Sequence, residues 1–484
     1  MYRRELYIGG TWVPPAGSER LDVISPSTEE VVGQVPVATN ADVDRAVEAA
    51  RTAFDDGPWP RMSPDERADV LVRAAELLRK READIAGITV DEMGCAISQS
   101  TTAQTGLVAP VFEYYAGLIR TFDFERRITA GDRAGLVTNE PVGVVAAIVP
   151  WNAPVTLGAW KTAPALAAGC TVVLKPPPEA PLSNFVLAEA LDDAGVPAGV
   201  VNVVPGGREV GEHLVTHPGT DKVAFTGSTA AGKRIMSLCG EQVKRVSLEL
   251  GGKSAAIVLD DADLATVLPR IVGGGMHLSG QVCGAHTRVL VPHHRYAEAL
   301  DAATEAANAV PYGDPHDPAT VVGPLVAERQ RTRVEGYVQL AVDGGARVTT
   351  GGRRPSHLPK GWYVPPTILG DVDNTMRVAR EEIFGPVLCL IPCDDEDDAV
   401  RIANDSRYGL AGGVWSGDNA RALAVAKRLR TGSVAVNGAY PPFPLVPFGG
   451  FKESGLGREL GPEGLANFLE PRSIGLPPSL AAEG

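Results

Sequence analysis

Apolar residues in this chain fall into short continuous runs rather than into strict alternation with polar ones. The runs Val142 to Val149, Thr171 to Leu174, Val200 to Val204, Val223 to Phe225, Ala255 to Leu259, Val289 to Val291 and Val387 to Ile391 are rich in β-branched residues. Runs of this kind predict strands covered on both faces and mostly parallel, because a strand with one wet face would alternate. Between them the period changes. Val70, Leu71, Ala74, Leu77 and Leu78 recur at helical spacing, with Ser63 as an N-cap and Pro64 in the first turn. That pattern predicts one helix from Asp65 to Ile85. Strand and helix alternate along the chain, so the fold class is α/β. No repeat, charge block or long linker interrupts it, and only the last dozen residues, with Pro477, Pro478 and a terminal Ala-Ala-Glu-Gly, read as frayed.

Composition changes this picture in a few respects. At 484 residues the chain is longer than one core usually holds, so two or three domains are expected. Its 54 Gly and 39 Pro fall short of a low-complexity composition, and 44% hydrophobic residues is ordinary for a globular protein. No apolar leader follows Met1, and the longest apolar stretch, near Val142 to Trp151, is well short of the ~20 residues that span a bilayer. No membrane association is expected. A net charge of −14 without a Lys/Arg stripe argues against nucleic acid as a partner. The cysteines at 95, 170, 239, 283, 389 and 393 are too sparse for a disulfide framework, which fits a reducing, cytoplasmic compartment.

The candidate chemistry centres on Glu249 in Glu249-Leu-Gly-Gly-Lys253 and on Cys283, 34 residues later, in Gly280-Gln-Val-Cys283. A thiol attacks a carbonyl as thiolate, and the resulting thioester persists until a base activates water against it, so a Glu and a Cys in one pocket suggest covalent thioester chemistry. Gly280 and Gly284 leave the sulfur uncrowded, although free cysteines are more often inert packing residues. Asn152, between Pro150-Trp151 and Ala153-Pro154, ends a strand where a side-chain amide could donate to an oxyanion; a simple turn former would look the same. Lys175 ends another strand, at the edge where open α/β sheets bind ligands, with a solvated lysine as the bland alternative. Val223 to Lys233 reads as strand, small-residue turn and helix, which leaves free N–H groups near Gly227, Ser228 and Gly232 for a phosphate, without the usual G-x-G-x-x-G spacing. The eight His and six Cys show no metal-ligand spacing, so no metal site is expected.

Taken in order, Pro150-Trp-Asn152, Lys175-Pro, Phe225-Thr-Gly-Ser228, Glu249-Leu-Gly-Gly, Gly280-Gln-x-Cys283, Glu382-Ile-Phe-Gly-Pro and Pro447-Phe-Gly-Gly-x-Lys-x-Ser-Gly-x-Gly-Arg-Glu459 resemble the aldehyde dehydrogenase superfamily over nearly the whole chain. The resemblance implies a Rossmann-like cofactor domain (1–122 and 142–253), an α/β catalytic domain (254–452) and a small β-rich oligomerisation element (123–141 and 453–484), hence a homodimer or homotetramer. It assigns Cys283 as the nucleophile, Asn152 as an oxyanion donor and Glu249 as the deacylating base. On the cofactor side it implies Lys175 at the adenosine ribose, Ser228 at the pyrophosphate, Trp151 at the adenine-side wall, and Glu382 with Phe384 at the nicotinamide ribose and ring. Many members carry Glu three residues after this Lys; here Pro178 stands there and Glu179 follows, so NAD is expected with NADP tolerated. Ala153, Leu157, Trp160, His277, Val282 and Gly284 align with the substrate tunnel and imply a roomy, apolar one, suited to a medium or bulky hydrophobic aldehyde. No arginine or aromatic cage for a charged aldehyde is evident. A CoA-acylating relative would lack the Glu at 249, and a catalytically silent homologue would have lost the Cys or the Glu.

Overall fold

The computed structural model describes residues 1–131, 133–477 and 480. Two large sheets organise it. The first is built on β1 (Val144–Ile148), β2 (Thr171–Lys175), β3 (Val201–Val203), β4 (Lys222–Thr226) and β5 (Arg245–Glu249), mutually parallel in the order β3-β2-β1-β4-β5. Leu6–Ile8 and Thr11–Val13 extend one side antiparallel, and Gly455–Leu456 adds antiparallel to β5. The second is built on β6 (Ser254–Val258), β7 (His286–Pro292), β8 (Thr367–Gly370), β9 (Val387–Cys393), β10 (Ala411–Trp415) and β11 (Ser433–Val436), parallel in the order β8-β9-β7-β6-β10-β11, with Arg347–Thr350 antiparallel at its edge. All seven apolar runs lie in these strands, and the expectation of mostly parallel, buried sheets holds.

The pleat distributes each strand between two cores. Val145, Ala147, Val172 and Leu174 face one hydrophobic cluster, while Val144, Ala146, Val173 and Phe225 face another on the opposite side of the first sheet. In the second sheet Ile257, Leu290, Cys389 and Val414 face one side, and Ala256, Val289, Leu390 and Trp415 the other. Both faces are dry, which is why the sequence shows runs instead of alternation.

The predicted helix over 65–85 divides in two. Helix α1 (Pro64–Lys80) starts in a capping box in which Ser63 Oγ accepts from the Glu66 N–H and Glu66 accepts from the Ser63 N–H. It stops at Arg81, where φ of −100° and ψ of 5° interrupt the helix and the side chain pairs with Glu189 and Asp193, and α2 (Glu82–Met93) follows with Ile85, Val90 and Met93 buried. The apolar period continues across the break, so the sequence does not mark it. The C-terminal expectation also changes. Leu469–Leu476 is a strand paired antiparallel with Arg133–Pro141, which in turn pairs with Glu125–Ala130 in a separate three-stranded sheet. Thus Ser473 to Leu476 are ordered by ladder hydrogen bonds, and the rest of the expected frayed tail lies largely outside the described residues.

The two large sheets meet in a way that defines the site. β1, β2, β4 and β5 point their carboxyl ends at the interface, while β6, β7, β10 and β11 begin there. Only Leu250 to Lys253 separate the end of β5 from the start of β6.

Candidate active site

Each motif from the sequence sits at that junction. Glu249 is the last residue of β5, Lys175 the last of β2, and Pro150-Trp151-Asn152 follow β1, immediately before helix α3 (Pro154–Ala168). Gly227 and Ser228 follow β4, where Ser228 caps helix α4 (Thr229–Glu241) by accepting from the Ala231 N–H. Cys283 lies in the turn that leads into β7.

The turn before Cys283 is strained. Leu278, Ser279 and Gly280 have φ of 48°, 58° and 71°, the left-handed region that L-residues with side chains avoid. A Cβ on Gly280 would lie 2.1 Å from the Gly385 carbonyl oxygen. Side chains hold this shape: Ser279 Oγ donates to Gly323 O at 2.8 Å, and Gln99 accepts from the Leu278 N–H at 2.7 Å. Gln281 accepts from the Val326 N–H at 3.0 Å, and its own carbonyl accepts from Asn152 Nδ2 at 2.9 Å. That last bond ties the Asn152 amide to the nucleophile's turn and leaves its second N–H available to an oxyanion.

Cys283 and Asn152 border two cavities. One, of about 270 Å³, is lined mainly by apolar side chains and bordered by Glu249 and Glu459. The other, of about 240 Å³, runs past Gly251, Glu382 and Phe384. It shares Trp151, Gly227 and Ser228 with a larger cleft of about 730 Å³ that continues over Lys175, Glu179 and Gly211. Volumes of this order suit a small ligand on one side of the sulfur and a dinucleotide on the other.

Burial dominates the electrostatics. The Cys283 thiol is pushed up to about 12, first by burial and then by Glu382 and Glu249, with the Gly284 and Cys283 N–H groups opposing. Glu249 is 4% exposed, neither of its carboxyl oxygens has a hydrogen-bond partner, and its carboxyl is held well above the usual carboxylate range by burial and by Glu459. Lys161, alone in the otherwise uncharged α3 and fully buried, donates to Thr226 Oγ1 at 2.6 Å and to Glu459. Lys161 and Glu459 were not singled out as site residues from the sequence; the single charge inside an apolar helix was the available signal. Glu382, pushed up to about 7 by burial, accepts from the Gly252 N–H at 2.9 Å.

The dinucleotide side fits such a group. A Cβ on Gly251 would meet Glu382 Oε2 at 2.6 Å, so backbone and carboxylate are already in contact there. Lys175 is buried rather than solvated: its ammonium donates to Pro176 O at 2.9 Å and Gly206 O at 2.7 Å, and burial pulls it down to about 8. One N–H remains for a ligand. Trp151 meets the Phe384 ring edge to face at 5.2 Å, and Gln330 donates to the Phe384 carbonyl at 2.7 Å, steadying a residue with φ of 64°. Glu179 borders the cleft but is ion-paired with Arg329, an arrangement the sequence did not signal. Gly232 does not border it. It lets α4 approach Leu250, whose Cδ2 would be 2.4 Å from a Cβ at that position.

All six tunnel positions expected from sequence line the 270 Å³ cavity. Beyond Trp160, the tunnel has aromatic side chains that the sequence did not signal. The loop after β11 brings Tyr440, Phe443 and Phe448 onto the wall, where Trp160, Phe443 and Phe448 pack together with ring centroids 5.5 to 6.3 Å apart. These three pack against one another as a continuous apolar surface.

A half-buried thiol beside an amide donor, an unpaired carboxyl on the same cavity and an adjoining nucleotide-sized cleft define a covalent oxidoreductase site. The chain belongs to the aldehyde dehydrogenase family, whose model matches residues 12–474. It is 46% identical to geranial dehydrogenase of Castellaniella defragrans, over 97% of this chain and 98% of that one. The fold matches an aldehyde dehydrogenase of Mycobacterium tuberculosis complexed with NAD+, with a TM-score of 0.97, 46% identity and 98% of each chain covered. An aldehyde dehydrogenase variant of Pseudomonas syringae complexed with NAD+ and octanal gives a TM-score of 0.94 at 43% identity, over 97% of this chain and 96% of that one.

Two outcomes follow. Because the raised thiol pKa lets thiolate accumulate only as pH climbs toward it, alkylation of Cys283 by iodoacetamide in the nucleotide-free protein rises continuously from pH 7 to pH 10. A plateau below pH 8 contradicts that burial dominates. Gly280→Ala forces a Cβ onto the Gly385 carbonyl and lowers stability by about 3 kcal/mol, read from urea unfolding.

Proposed function

We propose that this enzyme oxidises a medium or bulky hydrophobic aldehyde to its carboxylic acid with NAD, through a thioester on Cys283. The observation that carries the reading is the position of Cys283 between an apolar tunnel and a dinucleotide-sized cleft, with Glu249 unpaired at the tunnel wall.

Cys283 adds to the aldehyde carbon as its thiolate, the thiol proton having left to solvent, and the carbonyl oxygen takes the negative charge in reach of the Asn152 amide. When bound in the adjoining cleft, an oxidised nicotinamide would supply the hydride acceptor that formation of a thioester requires. Lys175 and Ser228 hold the adenosine and pyrophosphate, and Glu382 and Phe384 the nicotinamide riboside. Glu249 then takes a proton from the water that cleaves the thioester, and its raised pKa makes it a strong enough base for that step. Lys161 and Glu459 position that carboxyl electrostatically: the ammonium favours its charged form and Glu459 opposes it.

The apolar wall supports the substrate class, since Leu157, Trp160, Val282, Phe443 and Phe448 offer a hydrocarbon chain burial worth roughly 0.8 kcal/mol per CH₂. Geranial and octanal, named for two relatives, are molecules of this kind. The three-stranded sheet, with Ile128 and Ile474 exposed, is the proposed self-association surface of a homodimer or homotetramer. Six unpaired cysteines support a cytoplasmic location.

Absorbance at 340 nm with NAD or NADP, over a panel from acetaldehyde and betaine aldehyde to octanal, geranial and benzaldehyde, tests the assignment. Turnover is expected without CoA and to be highest on the apolar members; highest efficiency on betaine aldehyde, or product only when CoA is added, would overturn it. Cys283→Ala abolishes turnover on every substrate while NAD still binds, as read by isothermal titration. Arg329 neutralises Glu179 beside the ribose, so that carboxylate repels a 2′-phosphate less than a free one would. Arg329→Ala therefore lowers the NADP-to-NAD ratio of kcat/KM by about tenfold, and an unchanged ratio contradicts this role.

A further inference from the structure

The aldehyde tunnel holds polar atoms that the oxidation does not use. β6, β7, β10 and β11 begin side by side at its wall: Ser254 is in register with His286, and Ala411 with Ser433. Ala411 N–H donates to Ser254 Oγ at 3.3 Å, which completes the row from His286 to Ser433. His286 is 6% exposed, yet its Nε2 has no hydrogen-bond partner, and Ser433 Oγ is likewise buried and unpartnered. Both residues border the tunnel, together with Tyr440.

The His286 ring is fixed. It stacks on Tyr440 at 6.0 Å with an interplanar angle of 22°, and a Cβ on Gly413 would sit 2.7 Å from its Cε1, so Gly413 leaves the space the ring occupies. Burial pulls the imidazole down to about 4, so it is neutral at physiological pH, and it is held by a hydrogen bond with the Gly412 backbone. With the unpartnered Nε2 left as acceptor, the ring can accept a hydrogen bond from a ligand, while Ser433 Oγ can either donate or accept. A hydroxyl suits either atom, because it can donate to the ring nitrogen or pair with the serine hydroxyl. Leaving such atoms buried without partners is costly, which is the condition under which a site discriminates strongly for the group that pairs them.

We propose that His286 and Ser433 read a hydroxyl group on the far part of the substrate, so that the preferred aldehydes have an apolar body and a distal hydroxyl. His286 is three positions after Cys283, which limits their Cα atoms to about 10 Å apart. That ceiling confines the hydroxyl to a chain of short or medium length. The inference rests on the aldehyde oxidation proposed above and names its substrate class more closely.

The test compares 7-hydroxyheptanal with octanal, which differ by a hydroxyl in place of a methyl group, by NADH formation in the wild-type enzyme, His286→Phe and Ser433→Ala. In the wild type the hydroxyaldehyde has the higher kcat/KM, by about tenfold. His286→Phe, which keeps an aromatic ring against Tyr440, brings that ratio to about one through a raised KM for the hydroxyaldehyde. Ser433→Ala lowers the ratio several-fold and does not depend on the His286 variant folding. Turnover of octanal with no wild-type preference, or variants that weaken both substrates in parallel, overturns the inference while leaving the oxidation intact. Failure of both aldehydes to reduce NAD removes the oxidation and this inference with it.

Discussion

Two adjacent glycines set the spacing on which the rest of this active site depends. The chain leaves the first sheet at Glu249 and enters the second at Ser254, and in between a Cβ on Gly251 would strike the Glu382 carboxylate while one on Gly252 would lie 2.2 Å from the Cys283 carbonyl oxygen. The segment carrying the base, the turn carrying the thiol and the carboxylate on the dinucleotide side therefore meet in direct backbone contact. Ser454 locks the crossing from behind. Its hydroxyl donates to Gly251 O at 2.7 Å and accepts from the Gly409 N–H at 2.9 Å, while its carbonyl accepts from the Leu250 N–H at 2.9 Å. A side chain at either glycine would separate groups that must act on one carbon atom.

Close packing of that kind has an electrostatic consequence. Three ionisable groups, Cys283, Glu249 and Glu382, are pushed toward their neutral forms, and burial is the first cause for each. The Lys161 ammonium is engaged by Glu459 and Thr226 rather than by Glu249. Groups held toward their neutral forms share the pocket without the full cost of two buried charges, and the deprotonated fraction of Glu249 is the form that can accept a proton from water. In the proposed reaction charge develops only later, beside the Asn152 amide that its bond to Gln281 O holds in place.

Much of this was legible in the sequence because both sheets are covered on two faces. Continuous β-branched runs located seven of the eleven parallel strands, and residues that end strands, such as Glu249 and Lys175, fell where an open α/β sheet presents ligand-binding groups. Less was legible where a role depends on a distant partner. The helix break at Arg81 carries ion pairs to residues more than a hundred positions away. Arg329 shields Glu179 from 150 positions away. Tyr440, Phe443 and Phe448 reach the tunnel through a loop that follows the last strand of the second sheet, and His286 reads in sequence as the polar start of an apolar strand. Gly232, by contrast, has the look of a phosphate-loop glycine and is a packing residue, because its missing side chain faces Leu250 instead of the cleft.

The central claim is that Glu249 serves hydrolysis of an acyl group carried by Cys283. The direct test is mass spectrometry of Glu249→Gln incubated with NAD and octanal, quenched in acid and digested. An octanoyl group on the peptide containing Cys283, with about one NADH formed per active site and no further turnover, is the predicted result. Sustained turnover with an unmodified Cys283 peptide would contradict it.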